Sequence, residues 1–398
     1  MRFVRAILVV YCIAASVAAA AAAAEHGLLA EVWLDTSGHY VAQLHIGTPP
    51  QPKLLLLDIA QNSISVQCDE APNSDATLPF VPPSSTTFRT VIRGGSPVFV
   101  DFPIAKQMQL VADSFTFNAT DGINPGQHDV EVKGMKFFCA SPSPQQPTGV
   151  AGLGRGKLAL PSALAIHQKL PRRFAYCLSG NAQTRTPLFL GSSNYTFLPG
   201  LQFMSNLQHT PLLKPTKKRT GYRVGLFSVK VGDTTLSIHP KVFRGGLEVS
   251  TTEPYTKLVR PAYVALVDAF RRAESGIRRV PARAPFETCY NATGLGSTRV
   301  GPPVNVISFV FGDKKGTGAA EWPMYGASSM VFVSEDVMCL GFLDAGPLPA
   351  AHSVLGTYQQ QESLVELDLE HNQLAFFATL MFVRTSCGNF NFTQGNFF

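Results

Sequence analysis

Asp58 closes an apolar run, LLLLDIA (54–60), and about 190 residues later Ser250 holds the same place in LEVSTT (247–252). Each run is followed, about 90–105 residues on, by a second stretch of small and apolar residues around glycine: TGVAGLG (148–154) and SVLGTY (353–358). The chain therefore carries an internal repeat that offers one carboxylate and one hydroxyl at matching positions. Two carboxylates a hydrogen bond apart share one proton, so one deprotonates water while the other donates to a carbonyl oxygen. A carboxylate opposite a hydroxyl has no such coupling. Asp58 then titrates as a lone acid near its reference value of about 3.9 unless burial raises it. Ser250 cannot take over as the base.

Other stretches offer a substitute for the missing carboxylate or hint at a different chemistry. LDTSG (34–38) offers Asp35, but it precedes the HIGTPPQ stretch (45–51) and belongs to an early strand or turn. Glu248 lies on the same strand face as Ser250, displaced by about 6–7 Å, and at most approaches it. GLGRGK (152–157) imitates a phosphate-cradling loop, yet the repeat accounts for it as a strand and its turn.

Short β-branched and apolar runs cut by Gly, Pro, Asn and Asp must position these residues, which indicates an all-β protein. Two helices are expected. LPSALAIHQKL (160–170) has Pro161 near its start and Ala163, Ile166 and Leu170 on one face. PAYVALVDAFRRA (261–273) aligns Tyr263, Leu266, Val267 and Phe270 at helical spacing. Both are expected to pack rather than to act. A final strand is expected over 364–377 with apolar residues at 365, 367 and 369, and the two halves should meet near 196–208.

The chain has 398 residues, 45% hydrophobic, with 33 Gly and 29 Pro, which favours a turn-rich globular protein over a helical or disordered one. Residues 1–24 read as a secretory signal: Arg2 and Arg5, an apolar run and an alanine tract, with cleavage before Glu25. No later apolar run reaches membrane-spanning length. Six cysteines then remain (Cys68, Cys139, Cys177, Cys289, Cys339, Cys387), an even number that reads as disulfides with fifteen possible connectivities. No CxxC or HExxH spacing suggests a metal, and no cofactor is expected. Sequons at Asn118, Asn194, Asn291 and Asn391 fit the secretory route. The formal charge of +6 falls to +4 without the signal arginines. Basic clusters at KPTKKR (214–219) and at Arg271, Arg272, Arg278, Arg279 and Arg283 are either solvated surface or an adhesive face for acidic cell-wall polymers. Nucleic acid is disfavoured, since no aromatics interleave the basic residues.

Several separate blocks resemble pepsin-like aspartic peptidases, and specifically the plant branch of TAXI-type xylanase inhibitors, basic 7S globulins and extracellular dermal glycoproteins. They are LHIGTPPQPKLLLLDIAQNSISVQC (44–68), TGVAGLGRGKLALPSALA (148–165), STTEPYTKLVRPAYVALVDAF (250–270), APFETCYN (284–291), ASSMVFVSEDVMCLGFLDAG (327–346) and ATLMFVRTSCGNFNF (378–392). The resemblance covers nearly everything after residue 30. It implies an all-β bilobal fold with a few short helices, an N-terminal lobe over 25–200 and a C-terminal lobe over 201–398. It also implies the pairs Cys177–Cys387, Cys289–Cys339 and Cys68–Cys139. Against that pattern, Ile59 and Ala60 replace the Thr and Gly that follow the catalytic Asp. Ser250 replaces the second Asp, and no tyrosine lies between Tyr40 and Tyr176 to close over a peptide. The stretch from Asp69 to Val100 lacks cysteine and looks shortened.

The resemblance implies a secreted, extracellular protein of the apoplast or cell wall that binds rather than cleaves. The leading expectation is a defence inhibitor of microbial glycoside hydrolases, xylanase or endoglucanase. Cereal xylanase inhibitors would carry a histidine shortly before the last cysteine; here LMFVRTSC (380–387) has none, and Phe382, Val383 and Arg384 are the candidate contact residues. A weak aspartic endopeptidase using Asp58 is one alternative. A storage or receptor-like protein that binds a small peptide is the other.

Overall fold

Strands form where the β-branched and aromatic runs lie, because such side chains pack well on a pleated surface. The computed structural model describes residues 27–69, 78–100, 107–142, 147–217, 219–312 and 320–394. The expected signal segment and Lys218 of the basic run fall outside them. In the first half the principal elements are β1 (Gly27–Leu34), β2 (Tyr40–Ile46), β3 (Gln51–Asp58), β4 (Ser65–Gln67), β5 (Met108–Thr120) and β6 (Pro125–Ala140). They are followed by β7 (Gly149–Gly152), α1 (Leu160–Gln168), β8 (Arg173–Cys177), β9 (Thr186–Leu190) and β10 (Gln208–Pro211). The second half contributes β11 (Leu247–Val249), β12 (Thr256–Leu258), α2 (Arg260–Ala273), β13 (Phe342–Asp344), β14 (Ser353–Leu355), β15 (Leu364–Asp368) and β16 (Gln373–Phe377).

The repeat seen in the residues is a repeat in pairing. In the first half β3 runs parallel to β7, β7 antiparallel to β4, and β4 parallel to β6. In the second, β11 runs parallel to β14, β14 antiparallel to β12, and β12 parallel to β13. One large sheet joins the halves, in the order β10-β16-β15-β8-β9-β1-β2-β3-β7-β4-β6-β5. A continuous hydrophobic core runs from Leu57 and Ile59 through Tyr176 and Tyr222 to Val249 and Leu367.

The expected final strand is a hairpin, β15 and β16, turning at Asn372 in the left-handed region (φ 51°). Its odd positions, Val365 and Leu367, join the main core as the alternation predicts. The even face is buried too, because a second cluster of Leu29, Phe189, Phe197, Leu364 and Phe390 covers it. The polar residues on that face are satisfied there: Tyr195 Oη donates to Glu366 at 2.6 Å, and Arg173 Nη2 to Asp368 at 2.6 Å.

Helix α2 buries Tyr263, Leu266, Val267 and Phe270, as its spacing predicts. Helix α1 differs from expectation. It buries Leu160 to Leu164 through its first turn but turns Ile166 to solvent, so only its N-terminal end packs on the core, and Lys169 ends it in the left-handed region (φ 57°). The structure holds disulfides Cys68–Cys139, Cys177–Cys387 and Cys289–Cys339. The second ties β8 to the C-terminal segment.

Candidate functional site

Asp58 sits at the end of β3, where the parallel partner β7 leaves the sheet. Gly152 pairs with it in register, and Leu153 N donates to its carbonyl at 2.9 Å. Beyond Asp58 the chain turns back on itself, so Asp58 Oδ1 accepts from Ala60 N at 2.8 Å and Gln61 N at 3.2 Å. Ser250 follows β11 in the matching way. Its backbone N donates to Leu355 O at 3.1 Å, and its Oγ accepts from Thr252 N at 3.2 Å and Glu253 N at 3.1 Å. The hydroxyl thus occupies the hydrogen-bonding niche that the carboxylate occupies in the other half. The niche is built twice; only its occupant differs.

A contact across the halves has no counterpart in the sequence reading. Thr251 Oγ1 donates to Leu57 O at 2.6 Å and accepts from Ile59 N at 3.2 Å. It clamps the backbone on both sides of Asp58 and holds Ser250 and Asp58 at one junction. Ile59 sits at the equivalent position in the first half and, being apolar, returns no such bond; it is fully buried in the core instead. Half of a two-way brace survives. The signal for it is the Thr that comes after Ser250, in the same place as Ile59 after Asp58.

More bonds cross the junction or support it. Gln360 Nε2 donates to Ser250 O at 2.7 Å, while its Oε1 accepts from Tyr176 Oη at 2.6 Å. Tyr222 Oη donates to Leu153 O at 2.8 Å, and Gln361 Nε2 to Tyr40 Oη at 3.0 Å. These side chains come from distant segments, so spacing alone could not have assembled them.

The possible substitutes lie elsewhere. Asp35 caps the β1–β2 turn, accepting from Ser37 N and His39 N at 2.9 Å each. Glu248 pairs with His352 at 3.8 Å. The glycines of GLGRGK are needed for close backbone approach: a Cβ on Gly152 would lie 2.1 Å from Ser63 O, and one on Gly156 would lie 2.3 Å from Asn62 O. Arg155 of that stretch stacks on the Tyr222 ring at 4.8 Å and donates to Asn372. Ahead of β5, Ile92–Arg93 and Ser96–Pro97 form a narrow exposed hairpin with Gly94 and Gly95 at its tip and no tyrosine.

Burial raises the pKa of Asp58 above its ordinary value, outweighing the two backbone N–H groups that favour its charged form. A carboxyl whose pKa is higher folded than unfolded loses stabilising influence as pH rises through the folded value. Asp58→Asn keeps an oxygen for Ala60 N and Gln61 N but carries no charge. The variant is expected to melt roughly 1–2 °C above wild type at pH 7. That difference should vanish below about pH 3.9, where Asp58 is protonated in both states. Melting curves at the two pH values check this, and an unchanged difference at acid pH would refute it.

The four sequons fall into two kinds. Asn118 Nδ2 donates to Asp129 Oδ1 at 2.9 Å and Asn194 Nδ2 to Asp121 O at 2.9 Å, and the sequon threonines Thr120 and Thr196 are buried. At Asn291 and Asn391, both half-buried, the side-chain oxygen accepts from Thr293 N at 2.7 Å and Thr393 N at 3.1 Å, and the sequon threonines Thr293 and Thr393 are exposed. Glycopeptide mass spectrometry of the protein expressed through a secretory pathway should find glycans at Asn291 and Asn391 and bare Asn118 and Asn194. A glycan on Asn118 would contradict this.

Comparison with known proteins agrees with this geometry. The family model described as xylanase inhibitor C-terminal matches residues 221–378, and the one described as xylanase inhibitor N-terminal matches 103–192. The chain is 31% identical to probable aspartic proteinase GIP2 of Nicotiana benthamiana, over 89% of this chain and 89% of that protein. It is also 31% identical to gamma conglutin 1 of Prunus dulcis, over 89% and 86%. Among solved structures it superimposes on that of EDGP with a TM-score of 0.82 at 29% identity, covering 92% of this chain and 98% of that one.

Proposed function

The chain belongs to the xylanase-inhibitor-type family of pepsin-like proteins, together with basic 7S globulins and gamma conglutins, and on that premise we propose that it is a secreted binding protein without peptidase activity. Its role would be to inhibit microbial glycoside hydrolases that degrade cell walls. The observation that carries the loss of peptidase chemistry is the Ser250 hydroxyl in the niche of the second carboxylate. A water molecule there meets one acid, and general acid–base assistance is worth about 10²–10⁴-fold per group.

The C-terminal segment supports the inhibitory part. Leu380–Val383 forms a 3-10 turn, Arg384 leaves it in the left-handed region (φ 63°), and the Cys177–Cys387 disulfide anchors the end of this loop to β8. Phe382 is 59% exposed and stacks on Tyr325 with ring centroids 5.6 Å apart, while Arg299 Nη1 reaches Phe382 O at 3.4 Å. A pre-formed loop displaying an aromatic ring and an exposed Arg384 has the residue types that dominate interface energetics. The guanidinium also suits the paired carboxylates at which glycoside hydrolases work.

Purified protein should inhibit fungal endoglucanases or xylanases at micromolar concentration. The Phe382→Ala/Arg384→Ala double variant should weaken that inhibition at least about tenfold. Absence of inhibition in both enzyme classes would sink the proposal. The competing peptidase reading rests on Asp58 and on a relative's name. It requires acid-pH cleavage of a protein substrate that disappears in Asp58→Asn.

A further inference from the structure

The second half has a cationic cavity that the reading above does not use. It lies at the far end of the floor strands from Ser250. Parallel strands β11 and β14 enter from Gly246 and His352 and leave toward Ser250 and Gly356, so the cavity and the Asp58–Ser250 junction are on opposite ends, about 10 Å of strand apart. The cavity measures about 270 Å³, and its walls come from four separate segments, one of them Val259 alone. Arg219 ends the basic run 214–219. Lys241 lies in the 3-10 turn Pro240–Phe243, and Arg244 caps its end. His352 precedes β14, beside Leu348 and Pro349.

Local structure shapes the rim that carries the cations. Pro240 starts the turn, and His239 Nδ1 accepts from Lys241 N at 3.1 Å. Arg219 lies close beside Gly245: a Cβ there would lie 2.8 Å from Arg219 Nη1. Arg219 Nη1 and Arg223 Nη1 both donate to Gly245 O, at 3.4 and 2.9 Å. His352 has Glu248 at 3.8 Å, but among the described residues no carboxylate lies within ion-pair distance of Arg219, Lys241 or Arg244. Three positive charges lining one cavity without a protein counter-ion raise the local concentration of anions. The cavity is too small for a helix or strand of a protein partner, and its remaining walls, Leu348 and Pro349 among them, are apolar.

We propose that this cavity binds the uronic-acid units of an acidic polysaccharide, its guanidinium and ammonium groups taking a carboxylate while the Leu348–Pro349 wall covers the C–H face of the sugar ring. The exposed Lys214 and Lys217 of the adjoining run would meet the carboxylates of neighbouring units. Binding here leaves the Phe382–Arg384 loop free, so the protein could be held on a cell-wall matrix while engaging an enzyme.

The test is calorimetric titration of the full-length protein with trigalacturonate at low salt, beside cellotriose as the neutral trisaccharide and sodium sulfate as the bare anion. Wild type should bind trigalacturonate and neither control at equal concentration, and binding should weaken at least tenfold in 0.5 M salt. Lys241→Glu/Arg244→Glu should lose at least tenfold in affinity; both residues are exposed, and melting curves verify the fold. Arg244→Glu alone serves if the double variant misfolds. Arg272→Glu/Arg278→Glu, on the other basic cluster, should change affinity less than twofold. Equal binding of cellotriose, equal binding of sulfate, no binding by wild type, or equal losses in both sets of variants would overturn the assignment.

Discussion

Thr251→Val should destabilise the protein by roughly 2–5 kcal/mol, although it changes neither side-chain shape nor any residue of the first half. Thr251 is buried, and its hydroxyl is the group that satisfies both Leu57 O and Ile59 N. Valine fills the same volume with a methyl group that neither donates nor accepts. Two backbone polar groups are then left unpaired in the core, each costing about 1–3 kcal/mol. Thr251→Ser keeps the hydroxyl and loses one methyl, for about 0.8 kcal/mol. Denaturant unfolding of the three proteins gives the order wild type, Ser, Val. Equal stability of the Ser and Val variants would show that the cross-junction hydroxyl contributes nothing.

The second large effect concerns charge. Ser250→Asp should fold normally near pH 4 and lose roughly 3–4 kcal/mol relative to wild type at pH 7. The new carboxylate enters a niche with two backbone donors ready, Thr252 N and Glu253 N, as Asp58 enters its own. Asp58 is already pushed upward by burial. A second carboxylate across the Thr251 clamp cannot ionise beside it without repulsion, and coupling of two to three pKa units corresponds to about 1.4 kcal/mol for each. The pair would hold one proton at acid pH and be forced to lose it as pH rises. Melting temperature against pH should therefore fall more steeply than in wild type. Parallel profiles would mean that the two positions are not electrostatic neighbours. Peptidase activity should stay slight in this variant, because Ile59 still leaves the brace one-sided and no tyrosine closes over the site.

What could be recognised along the chain was whatever a short segment encodes in its own residue types. The repeated apolar run, the mismatch of Asp58 with Ser250, the Ile59 and Ala60 departures and the buried face of α2 all belong here. Strand period, turn residues and the loss of a titratable group are local properties. Local periodicity also misled where burial was decided from outside. Ile166 is exposed because only the first turn of α1 packs on the core, and β15 is buried on both faces because a second cluster lies under it.

Three arrangements came only from folding: the Thr251 clamp on Leu57 and Ile59, the Gln360 and Tyr176 bonds behind Ser250, and the meeting of Arg219, Lys241, Arg244 and His352. Each joins segments separated by tens to hundreds of residues. A hydroxyl or guanidinium far along the chain carries no local mark of the carbonyl or the neighbouring charge it will meet. Those partners are set by sheet register and by the packing of the two halves. The lone acid could thus be read directly from the chain, whereas the bonds that hold it in place exist only once both halves are packed together.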